Sequence, residues 1–236
     1  MVNKNTQKSI KDLEKGMVTF SDLLNISVQE NNEPFIKLDP NEIPNGYSSM
    51  MPDMRSVTGP HILIRHGVYK PLLTAQKLLK LQYPSYTLFV SYGYRSLEIQ
   101  TEEFIKQLGA VKKFFPNPYD FYEEVHRFIA VPTVSGHPTG GAIDIIIKDE
   151  KTNKVVDFGS EQYNYKTKDC YVFTKNITKE QLKNRLLLRD ILLQVGFAPF
   201  NGEWWHFSYG DREWACYYRK PYAFYNQIFY KDIKLS

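Results

Sequence analysis

The stretch SGHPTGGAIDIII, residues 135–147, sets a carboxylate inside a run that otherwise leaves water. Ala142 to Ile147 has the length and the β-branched composition of a buried strand, yet Asp144 stands in its middle. Burying an ionised carboxylate costs several kcal/mol unless it is paired, hydrogen-bonded or bound to a metal. Just upstream, Pro138-Thr139-Gly140-Gly141 is a turn flexible enough to fold His137 back over that strand. A histidine and an aspartate meeting at a strand entrance begin a zinc site. Taken alone, the pair is equally well explained by Asp144 capping a turn or pairing with an arginine.

Outward from this strand, helices and strands alternate in mixed order. Tyr86 to Ser91 is β-branched and aromatic, reads as a strand, and runs into a turn at Gly93-Tyr94-Arg95-Ser96. Ser96 then caps a helix over Leu97 to Leu108. Earlier, Tyr69-Lys70-Pro71 opens a helix through Leu81 that Pro84 ends, and a second short helix is expected over Tyr122 to Ile129. Downstream, Asp149 to Asn153 is a polar turn after which Val155-Val156 continues a hairpin. The clearest helix spans Thr178 to Val195, with a capping box of Thr178 and Gln181 and a stop at Gly196. This order indicates an α+β protein, and 236 residues suit one domain. Residues 1–60, polar and rich in Asn, Asp and Pro, read as a loop-rich lead-in packed on a domain of residues 61–236.

Several function classes are excluded by composition. The formal net charge is only +4 and spread along the chain, whereas nucleic-acid binding needs clustered Lys and Arg. The N-terminus carries no apolar segment of the kind a secretory signal needs, and no stretch approaches a membrane span. A cytoplasmic protein is expected, or a periplasmic one if a leader has been trimmed. Cys170 and Cys216 are far apart and form no CxxC, which argues against a disulfide scaffold and a cysteine zinc site. There is also no HExxH, no Walker loop, no GxSxG and no EF-hand loop.

Of the five histidines, His61, His66 and His126 read as surface or packing residues. His206 differs because Glu203-Trp204-Trp205-His206 sets a carboxylate and an imidazole three residues apart among large apolar side chains. Positions i and i+3 of a regular strand point to opposite faces, so a shared site requires a bulge or a turn there, which Asn201-Gly202 permits. His137, Asp144 and His206 then make three ligands with one position left open, the pattern of a catalytic zinc. Glu203 is left over as a base beside the metal.

These residues resemble a known family. Ser135-x-His137-x-x-Gly140-x-Ala142-x-Asp144 is similar to the SxHxxGxAxD motif of the zinc D-alanyl-D-alanine peptidases, Glu203-x-x-His206 to their ExxH motif, and Gly93-Tyr94-Arg95 to their GYR element. Within the family the chain most resembles the VanX-type dipeptidase branch, through the double tryptophan of EWWHF, Asn184-Arg185 and Asp157-Phe158-Gly159-Ser160. Ser96 after the arginine is instead more like the D,D-carboxypeptidase branch. The resemblance implies a single α+β domain of the Hedgehog and D,D-peptidase type, a mainly antiparallel sheet flanked by helices with the zinc site on the sheet. It implies one Zn²⁺ per chain held by His137, Asp144 and His206, Glu203 as general base, Arg95 as transition-state stabiliser and Ser135 as a substrate contact.

The implied reaction is hydrolysis of D-alanyl-D-alanine, with trimming of a peptidoglycan stem peptide as the alternative. A zinc-stabilised module without catalysis is a third reading, disfavoured because Glu203 and Arg95 are both retained. One departure stands out. Where dipeptidases place an aspartate that holds the substrate ammonium, this chain reads Gly159-Ser160-Glu161-Gln162-Tyr163-Asn164. Tyr163 or Asn164 takes its place, with Glu161 as a candidate substitute.

Overall fold

The computed structural model describes residues 10–111, 117–127 and 129–236. In chain order the elements are α1 (Ile10–Glu14), α2 (Phe20–Leu24), β1 (Ser27–Val28), β2 (Phe35–Lys37), α3 (Arg55–Thr58), β3 (Leu63–Arg65), α4 (His66–Gln82), β4 (Tyr86–Tyr92), α5 (Leu97–Val111) and α6 (Pro118–His126). They continue with β5 (Ile143–Asp149), β6 (Lys154–Val155), α7 (Lys179–Gln194), β7 (Ala198–Pro199), β8 (His206–Ser208), α8 (Arg212–Tyr217) and β9 (Tyr222–Ala223). The main sheet is antiparallel and five-stranded, in the order β4-β5-β8-β7 with β6 also beside β5.

The strand that carries Asp144 is therefore central. One edge of β5 pairs with β4, while the other pairs with β8 at Ile143 and Asp144 and with β6 at Lys148 and Asp149. Alternation along the strand divides its side chains between two faces. Ile143, Ile145 and Ile147, with Leu88 and Val90 opposite them, are wholly buried in the same core as Leu72, Ala75 and Leu79 of α4 and Leu188, Ile191 and Leu192 of α7. Asp144 belongs to the other set.

Register along β4 breaks between Val90 and Tyr92, where Ser91 is an extra residue and Tyr92 stands opposite Asp144. Such a bulge re-aims the side chains that follow it. Here it delivers the chain into Gly93-Tyr94-Arg95 at the end of the sheet. Ser96 Oγ accepts the Ile99 amide at 3.2 Å, so α5 begins at the cap that the sequence indicates. The Thr178 capping box likewise opens α7, and Gly196 stands just past its end with φ +92°.

Three helices differ from their expected bounds, α5 by running three residues past Leu108 to Val111. Helix α4 starts at His66, so Pro71 lies inside its second turn rather than at its start. The cost is limited, because only the bond from residue 71 to the Gly67 carbonyl is forgone this early in the helix. Helix α6 begins at Pro118 and ends at His126, four residues earlier and three residues earlier than expected; Phe128 lies outside the described residues.

The segment before residue 60 enters the core. Phe35, Leu38, Ile43, Tyr47 and Met54 are buried in the main apolar cluster, and β2 pairs with β3. A smaller cluster joins Leu23 of α2 to Phe104, Val125, Val131 and Val134. Cys170 and Cys216 are both free thiols. Among the described residues no helix is long and apolar enough to cross a membrane.

Candidate active site

Three separate elements bring His137, Asp144 and His206 together. Asp144 and His206 are direct cross-strand partners on β5 and β8, so their side chains share one face. His137 opens a single 3₁₀ turn, His137–Thr139, closed by Gly140 at φ +73°. A Cβ on Gly140 would lie 2.2 Å from the Phe35 ring, so both the backbone angle and the space demand glycine. The donor atoms of the three side chains lie within 4.8 Å of one another.

Asp144 Oδ1 is 3.1 Å from His206 Nδ1 and 3.4 Å from His137 Nε2, while Oδ2 accepts the Tyr163 hydroxyl at 3.1 Å. Burial opposes the Asp144 charge, but the two imidazoles outweigh it and hold the carboxyl well below its ordinary range. The remaining nitrogen of each histidine is also engaged. His137 Nδ1 lies 2.8 Å from the Gly93 carbonyl, and His206 Nε2 lies 3.4 Å from Glu213 Oε2. Two imidazoles aimed at one carboxylate, each tethered from behind, form a donor set that fits a divalent cation.

Glu203 reaches the same cavity through a turn rather than a strand. The segment Asn201–Trp205 is a turn, β8 starts only at His206, and the His206 amide donates to the Glu203 carbonyl at 3.3 Å. This resolves the i,i+3 spacing without a bulge. Tyr165 Oη donates to Glu203 Oε1 at 3.1 Å. Burial raises the Glu203 carboxyl from the ordinary 4.5 to about 7; His206 opposes the rise and the negative Asp144 adds to it.

Arg95 is buried and lines the same cavity. Its Nε donates to Tyr92 Oη at 2.9 Å and lies 3.3 Å from Asp53 Oδ2, and Nη1 donates to Gln100 Oε1 at 3.0 Å. Burial works against the charge, but Tyr92 and Asp53 hold the guanidinium above the usual arginine range. Nη2 takes no acceptor among the described residues, nor does the Ser135 hydroxyl have a partner there, and both residues line the cavity. The cavity measures about 60 Å³ and is also walled by Tyr163, Tyr165, Phe200 and Glu213.

All six residues singled out by sequence line this one cavity. Glu161 does not: it is exposed and borders a groove between Gly46–Met50 and the strand face of Phe89 and Ile146. His126, taken as a packing residue, is buried and accepts the Val131 amide on Nδ1 at 3.2 Å, and its ring forms part of the cavity wall. Sequence reading missed Asp53, Gln100, Tyr165 and Glu213. Each comes from a segment far along the chain from the residue that it contacts or outside any motif, so no local pattern marks it.

Comparison with known proteins places this geometry. The family model described as Peptidase M15, D-ala-D-ala dipeptidase, matches residues 58–229, and the chain belongs to that family of metallopeptidases. A D-alanyl-D-alanine dipeptidase of Synechocystis is 26% identical over 235 residues, covering 88% of this chain and 94% of the relative. The D-alanyl-D-alanine dipeptidase of Escherichia coli K12 is 32% identical over 80 residues, 34% of this chain and 40% of that protein. Among solved structures, the LdcB LD-carboxypeptidase aligns with all of both chains at 17% identity and a TM-score of 0.44. The D,D-dipeptidase VanXYg, in complex with a D-Ala-D-Ala phosphinate analogue, aligns over 82% of this chain and 66% of its own at 20% identity and a TM-score of 0.38.

Proposed function

We propose that the protein hydrolyses free D-alanyl-D-alanine with one zinc ion held by His137, Asp144 and His206. The observation that carries this reading is the meeting of two tethered imidazoles on one buried carboxylate, in the same cavity as Glu203 and Arg95. When bound, the cation supplies Lewis acidity, which polarises a carbonyl and acidifies water towards a pKa of ~7.

The chain's own groups divide the remaining work. Glu203 takes the proton of the attacking water and passes it to the leaving amine, a task suited to a carboxyl raised to about 7. Tyr165 holds Oε1, which leaves Oε2 to carry the proton. Arg95 turns Nη2 to the negative charge that grows on the carbonyl oxygen, with its other nitrogens fixed by Tyr92, Asp53 and Gln100 so that little reorganisation is needed. The Ser135 hydroxyl is free to bind the substrate's amine or backbone.

One observation favours a second reading, a D,D-carboxypeptidase. The loop that carries an ammonium-binding aspartate in dipeptidases brings Tyr163 to the cavity here, and Glu161 points away. Alanine release from free D-Ala-D-Ala and from an N-acetylated peptide ending in D-Ala-D-Ala, each with and without chelator, separates the two. Chelator-sensitive cleavage of the free dipeptide alone is the expected result. Cleavage of the blocked peptide would replace the first reading by the second, and chelator-insensitive cleavage would remove the metal from both.

A further inference from the structure

We infer that Glu213 is a positioning residue: a carboxylate set behind His206 that fixes which of its nitrogens faces the metal and strengthens that nitrogen as a ligand. The inference rests on the zinc reading above and assigns a role to a residue outside every motif of the sequence.

His206 lies between two carboxylates. Its Nδ1 is 3.1 Å from Asp144 Oδ1 on the metal side, and its Nε2 is 3.4 Å from Glu213 Oε2 on the other. Ser208 Oγ spans that rear contact, donating to Glu213 Oε2 at 3.3 Å and standing 3.5 Å from His206 Nε2. Glu213 is held in the first turn of α8, whose start is capped by the Asp211 side chain accepting the Trp214 amide at 2.9 Å. Its neighbour Arg212 is turned away to Ile26, Thr133 and Gln227. Among the described residues, His206 is the one basic side chain at ion-pair distance from Glu213.

The chemistry follows from the proton count. A neutral imidazole carries one N–H, and an ionised carboxylate can only accept. A carboxylate at Nε2 keeps the proton there and leaves the Nδ1 lone pair facing Asp144. His137 is arranged the opposite way round: Nδ1 faces the Gly93 carbonyl at 2.8 Å, and Nε2 faces Asp144. The two ligands thus differ in what stands behind them, a neutral carbonyl for one and a negative charge for the other. A charged rear partner makes the imidazole a stronger donor, and loss of such partners typically costs ~10- to 100-fold in metal affinity or activity.

The test uses the full chain with Glu213→Leu and Glu213→Gln. Zinc affinity is read by chelator competition and ligand geometry by the visible spectrum of the cobalt-substituted protein. Glu213→Leu is expected to weaken zinc ~10- to 100-fold and to change the cobalt spectrum, and Glu213→Gln, which keeps an acceptor oxygen without the charge, is expected to fall between it and the parent. If the leucine variant fails to fold, the glutamine variant decides by the same two readings. Parental zinc affinity and cobalt spectrum in the folded variants overturn the inference. A rise in KM for the free dipeptide with unchanged metal binding also overturns it, by making Glu213 a contact for the substrate ammonium. His206→Ala distinguishes this failure from that of the zinc reading: full zinc binding without His206 removes the metal site itself.

Discussion

Replacing Glu203 by glutamine is expected to stabilise the metal-free protein while abolishing turnover. Burial raises this carboxyl from 4.5 to about 7, so the folded protein keeps a proton that the unfolded chain releases between those values. Its contribution to stability is complete below pH 4.5 and is lost as pH climbs through 7. A displacement of this size converts to roughly 3 kcal/mol. Because Glu203 is only half-buried at the cavity wall, where solvent screens part of its charge, we take about 2 kcal/mol as the magnitude. Glutamine carries no charge and still offers an oxygen to Tyr165, so the variant escapes the penalty at high pH. At pH 8 the chelator-treated variant should melt about 4–8 °C above the parent, using ~2–4 °C per kcal/mol for a chain of this length. At pH 4 the two should nearly coincide. Thermal denaturation at both values, alongside zinc content and alanine release, is the assay. Equal or lower stability of the variant at pH 8 would refute the view that Glu203 is held at the expense of the fold, and retained turnover would remove it as the base.

Arg95→Ala should lower kcat ~10²- to 10³-fold with zinc content unchanged, since a fixed donor to the developing charge is removed; a rate near that of the parent would exclude Nη2 from that role. Asp144→Asn should lose zinc on dialysis, because the anionic ligand facing both imidazoles is gone, and metal analysis of the purified variant checks this. Gly140→Ala should destabilise by more than about 1 kcal/mol, since φ is +73° and the added methyl meets Phe35. Unaltered urea denaturation would show that the turn carrying His137 tolerates a side chain.

Much of this architecture is legible because it is local. The run Ala142–Ile147, the cap at Ser96 and the Thr178–Gln181 box each state their element within a few residues; the two caps appear as read and the strand does so with its bounds moved to Ile143–Asp149. The meeting of His137, Asp144 and His206 is legible for a related reason: a charged group in an apolar run needs compensation, whatever the surrounding fold. What escaped depends on distant approach. Asp53 reaches Tyr92 and Arg95, and Tyr165 reaches Glu203, from about forty positions away, and nothing in PDM or NYK marks them. Helix α4 starts earlier than its sequence indicates because proline reads as a first-turn residue, whereas here it occupies the sixth position. The replacement of Glu161 by Tyr163 at the cavity turns on how one loop folds, with Tyr163 held at φ +63°.

Asp53 also bears on where this enzyme can be cut or exchanged. The family match begins at residue 58, five positions after it, and encloses every motif residue. Yet the Arg95 cradle is closed from outside that span, and Tyr47 and Met54 of the same segment sit in the central core. A chimera that grafted residues 58–229 beneath a relative's leading segment would carry the complete set of motif groups, but its arginine would be held by Tyr92 and Gln100 without the Asp53 carboxylate. Between members of the family, then, differences in rate can originate in a stretch that carries none of the motifs by which the family is recognised.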